Sequence, residues 1–187
     1  MVSEKPSNQI LTTYRLPLIT NKSMFTIRTS FSDQFEVRAS REKVHKFFSD
    51  IRNFIELMPN VESIHTGEGG TARWRIGAEI PFIGAMQQAF AVELAENSDE
   101  RIEWIPKAGE KQNFLRYAAD FIEKSSELTI VRFSQDVELR RNSARELHLL
   151  AGLAGESRVS KGMQAEVAGM IRNFVSRAKQ RLENSAA

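Results

Sequence analysis

Cysteine is absent from the 187 residues, which excludes disulfides, thiolate nucleophiles and zinc sites built on sulfur. Histidine is scarce: His45, His65 and His148 stand far apart with no HxH or HxxxH spacing, so no metal and no other cofactor is expected. No run approaches 18 consecutive apolar residues, which excludes a transmembrane helix on length. Residues 1–22 lack the basic-then-apolar order and small-residue cleavage site of a secretory signal, and Pro17 interrupts their one apolar stretch. The expected location is the cytoplasm. Neither sign of charge dominates, because 26 basic and 24 acidic residues are interspersed. Nucleic-acid binding needs a concentrated basic face, so no nucleic-acid partner is expected. The densest basic cluster, Arg172, Arg177, Lys179 and Arg181, reads as a solvated helix face. No GxSxG elbow is present, and Gly67, Gly69 and Gly70 precede another strand rather than a helix, so they mark a turn and not a phosphate loop.

What is abundant is alternation. Phe35 and Val37 alternate with Glu36 and Arg38 near the end of a first strand over residues 24–39. Ser40 then offers a helix N-cap, with Glu42 in the first turn and Val44, Phe47, Phe48 and Ile51 at helical spacing. Asp50 can cap a second short helix carrying Phe54, Ile55 and Met58, which Pro59 stops. Six strand-like segments follow, at residues 61–66, 71–80, 87–96, 101–106, 113–123 and 127–140, separated by turn residues. Their short connections favour antiparallel pairing, since parallel pairs need crossovers. Residues 143–155 carry Leu147, Leu150 and Leu153 at three-residue spacing, loosened by Gly152 and Gly155, and read as a short helix or the frayed start of the next one.

Over residues 160–183, Met163, Val167, Met170, Ile171, Phe174, Val175, Ala178 and Leu182 share one helical stripe. At 100° per residue they fall within an arc of roughly 140°, a broad core-facing stripe rather than a coiled-coil seam. The predicted fold class is therefore α+β: a curved antiparallel sheet of about seven strands, two short helices and a long C-terminal helix packed over the sheet. Residues 1–23 read as an N-terminal arm and 24–187 as a single domain.

This order is the helix-grip arrangement. On the stretch FEVRASREKVHKFFSDIRNFIELMPNVESI (35–64) and the ending MIRNFVSRAKQRLE (170–183), the chain resembles the START-like or Bet v 1-like (SRPBCC) superfamily. The resemblance is strongest to its polyketide cyclase/dehydrase and coenzyme Q-binding branches and to the family of the carbon monoxide dehydrogenase G-subunit. It covers nearly the whole chain from Met24 onward. It implies a space between sheet and helix that receives a lipid, quinone, polyketide or other apolar molecule, in proteins that serve as carriers, cyclases or assembly factors. The arm and an insertion at 142–159 depart from the family pattern.

The inward phases nominate the residues of such a site: Trp74, Phe90, Trp104, Tyr117, Phe133, Met170 and Phe174 as apolar lining, with Gln135 beside Tyr117 as the polar member. Large aromatics and adaptable methionines suit an irregular apolar ligand. The plainer reading is that they pack against one another. Tyr117 and Gln135 interrupt otherwise apolar phases and are the groups expected to orient a carbonyl or hydroxyl. Glu93, Asp120 and Glu138 fall on the outward phase, and no catalytic residue is assigned. Three functions fit: binding of a hydrophobic small molecule, a polyketide cyclase/dehydratase, or an accessory module that recruits a protein partner through Leu147, Leu150 and Leu153.

Overall fold

The computed structural model describes residues 24–81 and 83–184; the arm expected at 1–23 lies outside the described residues. Strand β1 (Phe25–Val37) leads through helices α1 (Arg41–Ser49) and α2 (Arg52–Leu57) into β2 (Val61–Thr66), β3 (Thr71–Ile80), β4 (Gly84–Ser98), β5 (Arg101–Pro106), β6 (Asn113–Ser125) and β7 (Leu128–Arg141). Two short helices, α3 (Ala144–Leu147) and α4 (Ala151–Ala154), precede the long α5 (Glu156–Asn184). The strands form one curved antiparallel sheet in the order β1-β7-β6-β5-β4-β3-β2. Hairpin connections lay β2 to β7 side by side, and β1 closes onto β7 from Phe25 opposite Arg141 to Val37 opposite Thr129.

Alternation determines which face is inside. On β7 every second side chain from Thr129 to Arg141 is buried, and on β6 Leu115, Tyr117, Ala119 and Phe121 are. The opposite face is polar and ion-paired. Glu138 meets Arg28 at 3.1 Å and also binds Arg140, while Arg101 holds Glu103 at 3.0 Å and also binds Asp120. The outward phase expected for Asp120 and Glu138 is the one observed.

Ser40 caps α1, its hydroxyl accepting the Lys43 N–H at 3.4 Å. Asp50 works one position earlier than expected. Ile51 occupies the N-cap of α2 without a side-chain bond, and Asp50 Oδ1 accepts the Arg52 N–H at 3.0 Å. Either route satisfies a donor that the helix itself leaves unpaired.

All eight side chains of the expected stripe on α5 are buried, joined by Val159 and Ala168. At 29 residues the helix is about 43 Å long, and it packs on β1 and β3. Its two ends are fastened differently. Near the start, Glu156 accepts the Thr26 N–H at 3.0 Å, and the Gln164 amide accepts from the Ser30 N–H at 3.1 Å and donates to the Ser30 carbonyl at 2.6 Å. This imitates a neighbouring strand and covers the sheet edge at β1. Near the end, Lys43 Nζ donates to the Leu182 carbonyl at 2.9 Å and Arg177 to the Leu57 carbonyl at 3.4 Å.

Residues 143–155 form two separate turns of helix instead of one. His148 is extended between them, and Gly155, at φ +79°, breaks the chain before α5. Leu147 and Ala151 anchor the segment in the core, whereas Leu149, Leu150 and Leu153 face outward.

Candidate functional site

Between the first half of α5 and the sheet lies a crevice of about 40 Å³. Its floor is Ile76 to Ala78 of β3, Met86, Gln88 and Phe90 of β4, and Gln135, Val137 and Leu139 of β7; its roof is Met163, Glu166, Val167 and Met170. Three of the six methionines of the chain are therefore here. An unbranched thioether repacks around an irregular guest at low cost. Helix and sheet come together at the end of the crevice because of Gly162: a Cβ there would stand 3.0 Å from Ile80 Cγ2 and 3.1 Å from Pro81 Cδ.

The nominated residues divide into two groups and one outlier. Phe90, Gln135 and Met170 line the crevice. Trp74, Tyr117, Phe133 and Phe174 instead join Phe48 and Phe54 in a ring cluster at the middle of the core: Phe54 stacks on Phe174 with centroids 4.7 Å apart, Tyr117 on Phe133 at 6.0 Å, and Trp74 meets Phe54 edge-on at 5.4 Å. Trp104 is buried on β5 opposite Tyr117 and makes no ring contact among the described residues. The crevice-facing part of α5 thus ends at Met170, one turn before Phe174, because α2 brings Phe54 up to fill the space beneath that ring.

The polar atoms are the informative ones. Gln135 is 4% exposed, lines the crevice, and its side-chain amide has no hydrogen-bond partner among the described residues. Opposite it in register, Tyr117 keeps a hydroxyl that is likewise unbonded among the described residues, and burial pushes its pKa far above the ordinary phenol value. Trp74, opposite Phe90, holds a buried indole N–H with no acceptor among the described residues. Of the three, only the Trp74 N–H is fully enclosed, and leaving it unsatisfied costs about 1–3 kcal/mol. A ligand that brings a carbonyl or hydroxyl between sheet and helix offers them partners.

The sequence reading did not nominate Gln88, Met86 or Met163 for the site, although Met163 stands on its core-facing stripe, and it left Arg141 outside the last strand. The first two share the inward phase of Phe90 and Val92. Arg141 continues the phase of Gln135, Val137 and Leu139 one step past where the strand seemed to end, so a longer strand assignment is the signal that finds it. The histidines are scattered: His45 Nε2 lies 2.9 Å from Asn97 Oδ1, His148 Nδ1 accepts the Leu150 N–H at 3.2 Å, and His65 is exposed.

A seven-stranded antiparallel sheet gripping a long C-terminal helix over an apolar crevice defines a START-like helix-grip protein. Within that class, the profile of the CoxG family, named for a subunit of carbon monoxide dehydrogenase, matches residues 34–182, and the chain belongs to that family. Solved structures agree on the fold. The Zhui aromatase/cyclase from Streptomyces sp. R1128 is similar over 82% of this chain and 95% of its own, with 12% identity and a TM-score of 0.56. A START superfamily protein from Mycobacterium smegmatis is similar over 83% and 97%, with 17% identity and a TM-score of 0.54. The di-domain aromatase/cyclase StfQ of the steffimycin biosynthetic pathway aligns over 86% of this chain but only 52% of its own, at 12% identity and a TM-score of 0.60. No curated protein sequence matches the chain significantly.

Proposed function

We propose that the protein binds a hydrophobic small molecule of lipid, quinone or polyketide type between the sheet and α5, in the cytoplasm. The observation that carries this reading is the Gln135 amide, unbonded among the described residues on a side chain only 4% exposed, in a crevice whose other walls are mainly apolar. A packed scaffold has no use for such a group, since an apolar side chain of the same volume fills the space without the desolvation cost. A receptor uses it to fix the one polar atom of an apolar guest. With about 40 Å³ available, against roughly 30 Å³ for one water in the liquid, the guest gains its room by moving Met86, Met163 and Met170.

Mass spectrometry of organic extracts from the purified protein, with a thermal-shift panel of apolar compounds, tests the reading. A ligand at a hundred times its Kd adds about 2.7 kcal/mol, which for a chain of this size raises Tm by roughly 5–10 °C. Compounds with one carbonyl or hydroxyl should give the larger shifts, and Gln135→Leu should remove that advantage while sparing pure hydrocarbons. If no compound co-purifies and none shifts the transition, the reading is wrong.

A second reading, a cyclase or dehydratase, draws on the unbonded Tyr117 hydroxyl and on the similarity to structures described as aromatase/cyclases. With its phenol held protonated by burial, Tyr117 serves as a hydrogen-bond donor to a substrate carbonyl and not as a base. For a polyketide substrate, Tyr117→Phe should then lower kcat by about tenfold or more with KM little changed. Unchanged turnover would remove Tyr117 from the reaction.

A further inference from the structure

Arg141 is the one charged side chain that is buried among the described residues, at 8% exposure. It stands on the inner face of β7, next in phase after Gln135, Val137 and Leu139, all of which line the crevice. Its Nη2 donates to Gln88 Oε1 and to Asn113 Oδ1, each at 2.7 Å, and its Nη1 to the carbonyls of Arg140 at 2.7 Å and Gln112 at 3.2 Å. Every acceptor is neutral. Gln88 is itself a wall of the crevice, so the guanidinium sits directly behind that wall.

The carboxylates that act on Arg141 from a distance are Glu146 and Glu110, and neither forms an ion pair with it. Both are committed elsewhere. Glu110 Oε1 accepts the N–H groups of Lys111, Gln112 and Asn113 at 2.9, 2.9 and 3.1 Å, and Glu146 Oε2 accepts the N–H of Asn142 at 3.0 Å. On the outer face, Arg28, Arg101, Arg116 and Arg140 each hold a carboxylate. Burial disfavours the Arg141 charge and lowers its pKa, yet a guanidinium stays protonated at neutral pH. A buried cation held only by neutral oxygens is stabilised by an anion brought to it.

We propose that Arg141, reached past Gln88, is the headgroup subsite of the crevice, and that the natural ligand is an amphiphile with an apolar body and an anionic head of carboxylate type. This rests on the reading of the crevice as a site for an apolar guest. The ligand body lies between Met163, Met170 and Phe90, and its carboxylate takes the place of the Gln88 amide oxygen on the Arg141 fork. Gln88 turns its freed amide to the same head as a donor, so no hydrogen bond is lost.

Calorimetric titration with decanoate and with decanol, below their aggregation concentrations, tests this with one tail and two heads. The wild-type protein should bind decanoate about tenfold or more tightly than decanol. Arg141→Met should reduce that preference to about threefold or less while leaving decanol affinity nearly unchanged. Arg141→Lys, which keeps the charge and loses the fork, should retain a weakened preference and is the second variant should Arg141→Met not fold. If neither variant folds, the wild-type preference decides the matter. Equal wild-type affinity for the two compounds, or an undiminished preference in folded Arg141→Met, overturns the headgroup subsite and leaves the apolar-ligand reading standing. Binding of neither compound overturns both.

Discussion

Gln135 and Phe174 show how two inward residues take opposite parts. Phe174 contacts the rings of Phe48, Phe54 and Phe133 and is fully buried, so Phe174→Ala should cost about 3–5 kcal/mol in urea unfolding. Gln135 contributes no side-chain hydrogen bond among the described residues, and Gln135→Met, of similar volume, should stabilise the protein by about 1 kcal/mol, or roughly 2–4 °C in Tm. A fall in Tm would show that the amide has a partner. Both residues were legible in sequence as inward, and Gln135 as the polar exception in an apolar phase. What was not legible is which of them faces open space. That depends on Phe54 arriving from α2 to cover Phe174, a tertiary contact with no periodicity of its own. Arg141 escaped notice for a different reason: a charge at the end of an alternating run reads as the edge of a strand, and its burial follows only from Gln88 and Asn113 converging on it.

Among the elements, the outer face of the sheet carries the pH dependence. Burial pushes the Glu103 carboxyl up, but hydrogen bonds and charge from Arg101 and Arg116 outweigh it and hold the net pKa below the usual range; Glu138 is held down in the same way by Arg28 and Arg140. A carboxyl depressed on folding stabilises the native state above its unfolded pKa of about 4.3 and loses that contribution as pH falls through the lower folded value. The urea midpoint should therefore decline below about pH 4, and Glu103→Gln should lower it at neutral pH while flattening the acid decline. The α3–α4 segment behaves otherwise. Leu149 and Leu153 are 78% and 84% exposed, so replacing both by serine should leave stability within about 0.5 kcal/mol, measured by thermal unfolding. Leu147, grouped with Leu150 and Leu153 by spacing, is a core anchor, because the extended His148 and the break at Gly155 take the segment off a single helical axis. Strands and the long helix were legible because period and burial agree over many residues; four-residue helices have too few turns to set a phase.

At the scale of the whole molecule, α5 and the two short helices α1 and α2 close the inner face of the sheet, and polar contacts hold α5 at its two ends and, through Asn60 Nδ2 donating to Glu166 at 3.1 Å, at the crevice. Glycine at position 162 lets the helix rest against Ile80 and Pro81. The added Cβ of Gly162→Ala would hold these surfaces apart by a few tenths of an ångström. The consequence of that contact is kinetic. On the proposed binding reading, a lipid-sized guest enters a space of about 40 Å³ only by parting α5 from the sheet, so association would be limited by that opening step. The observed rate should level off as ligand concentration rises, at a plateau common to chemically different ligands. Gly162→Ala should raise that plateau and hasten release together, making the spacing at one glycine the clock of the site.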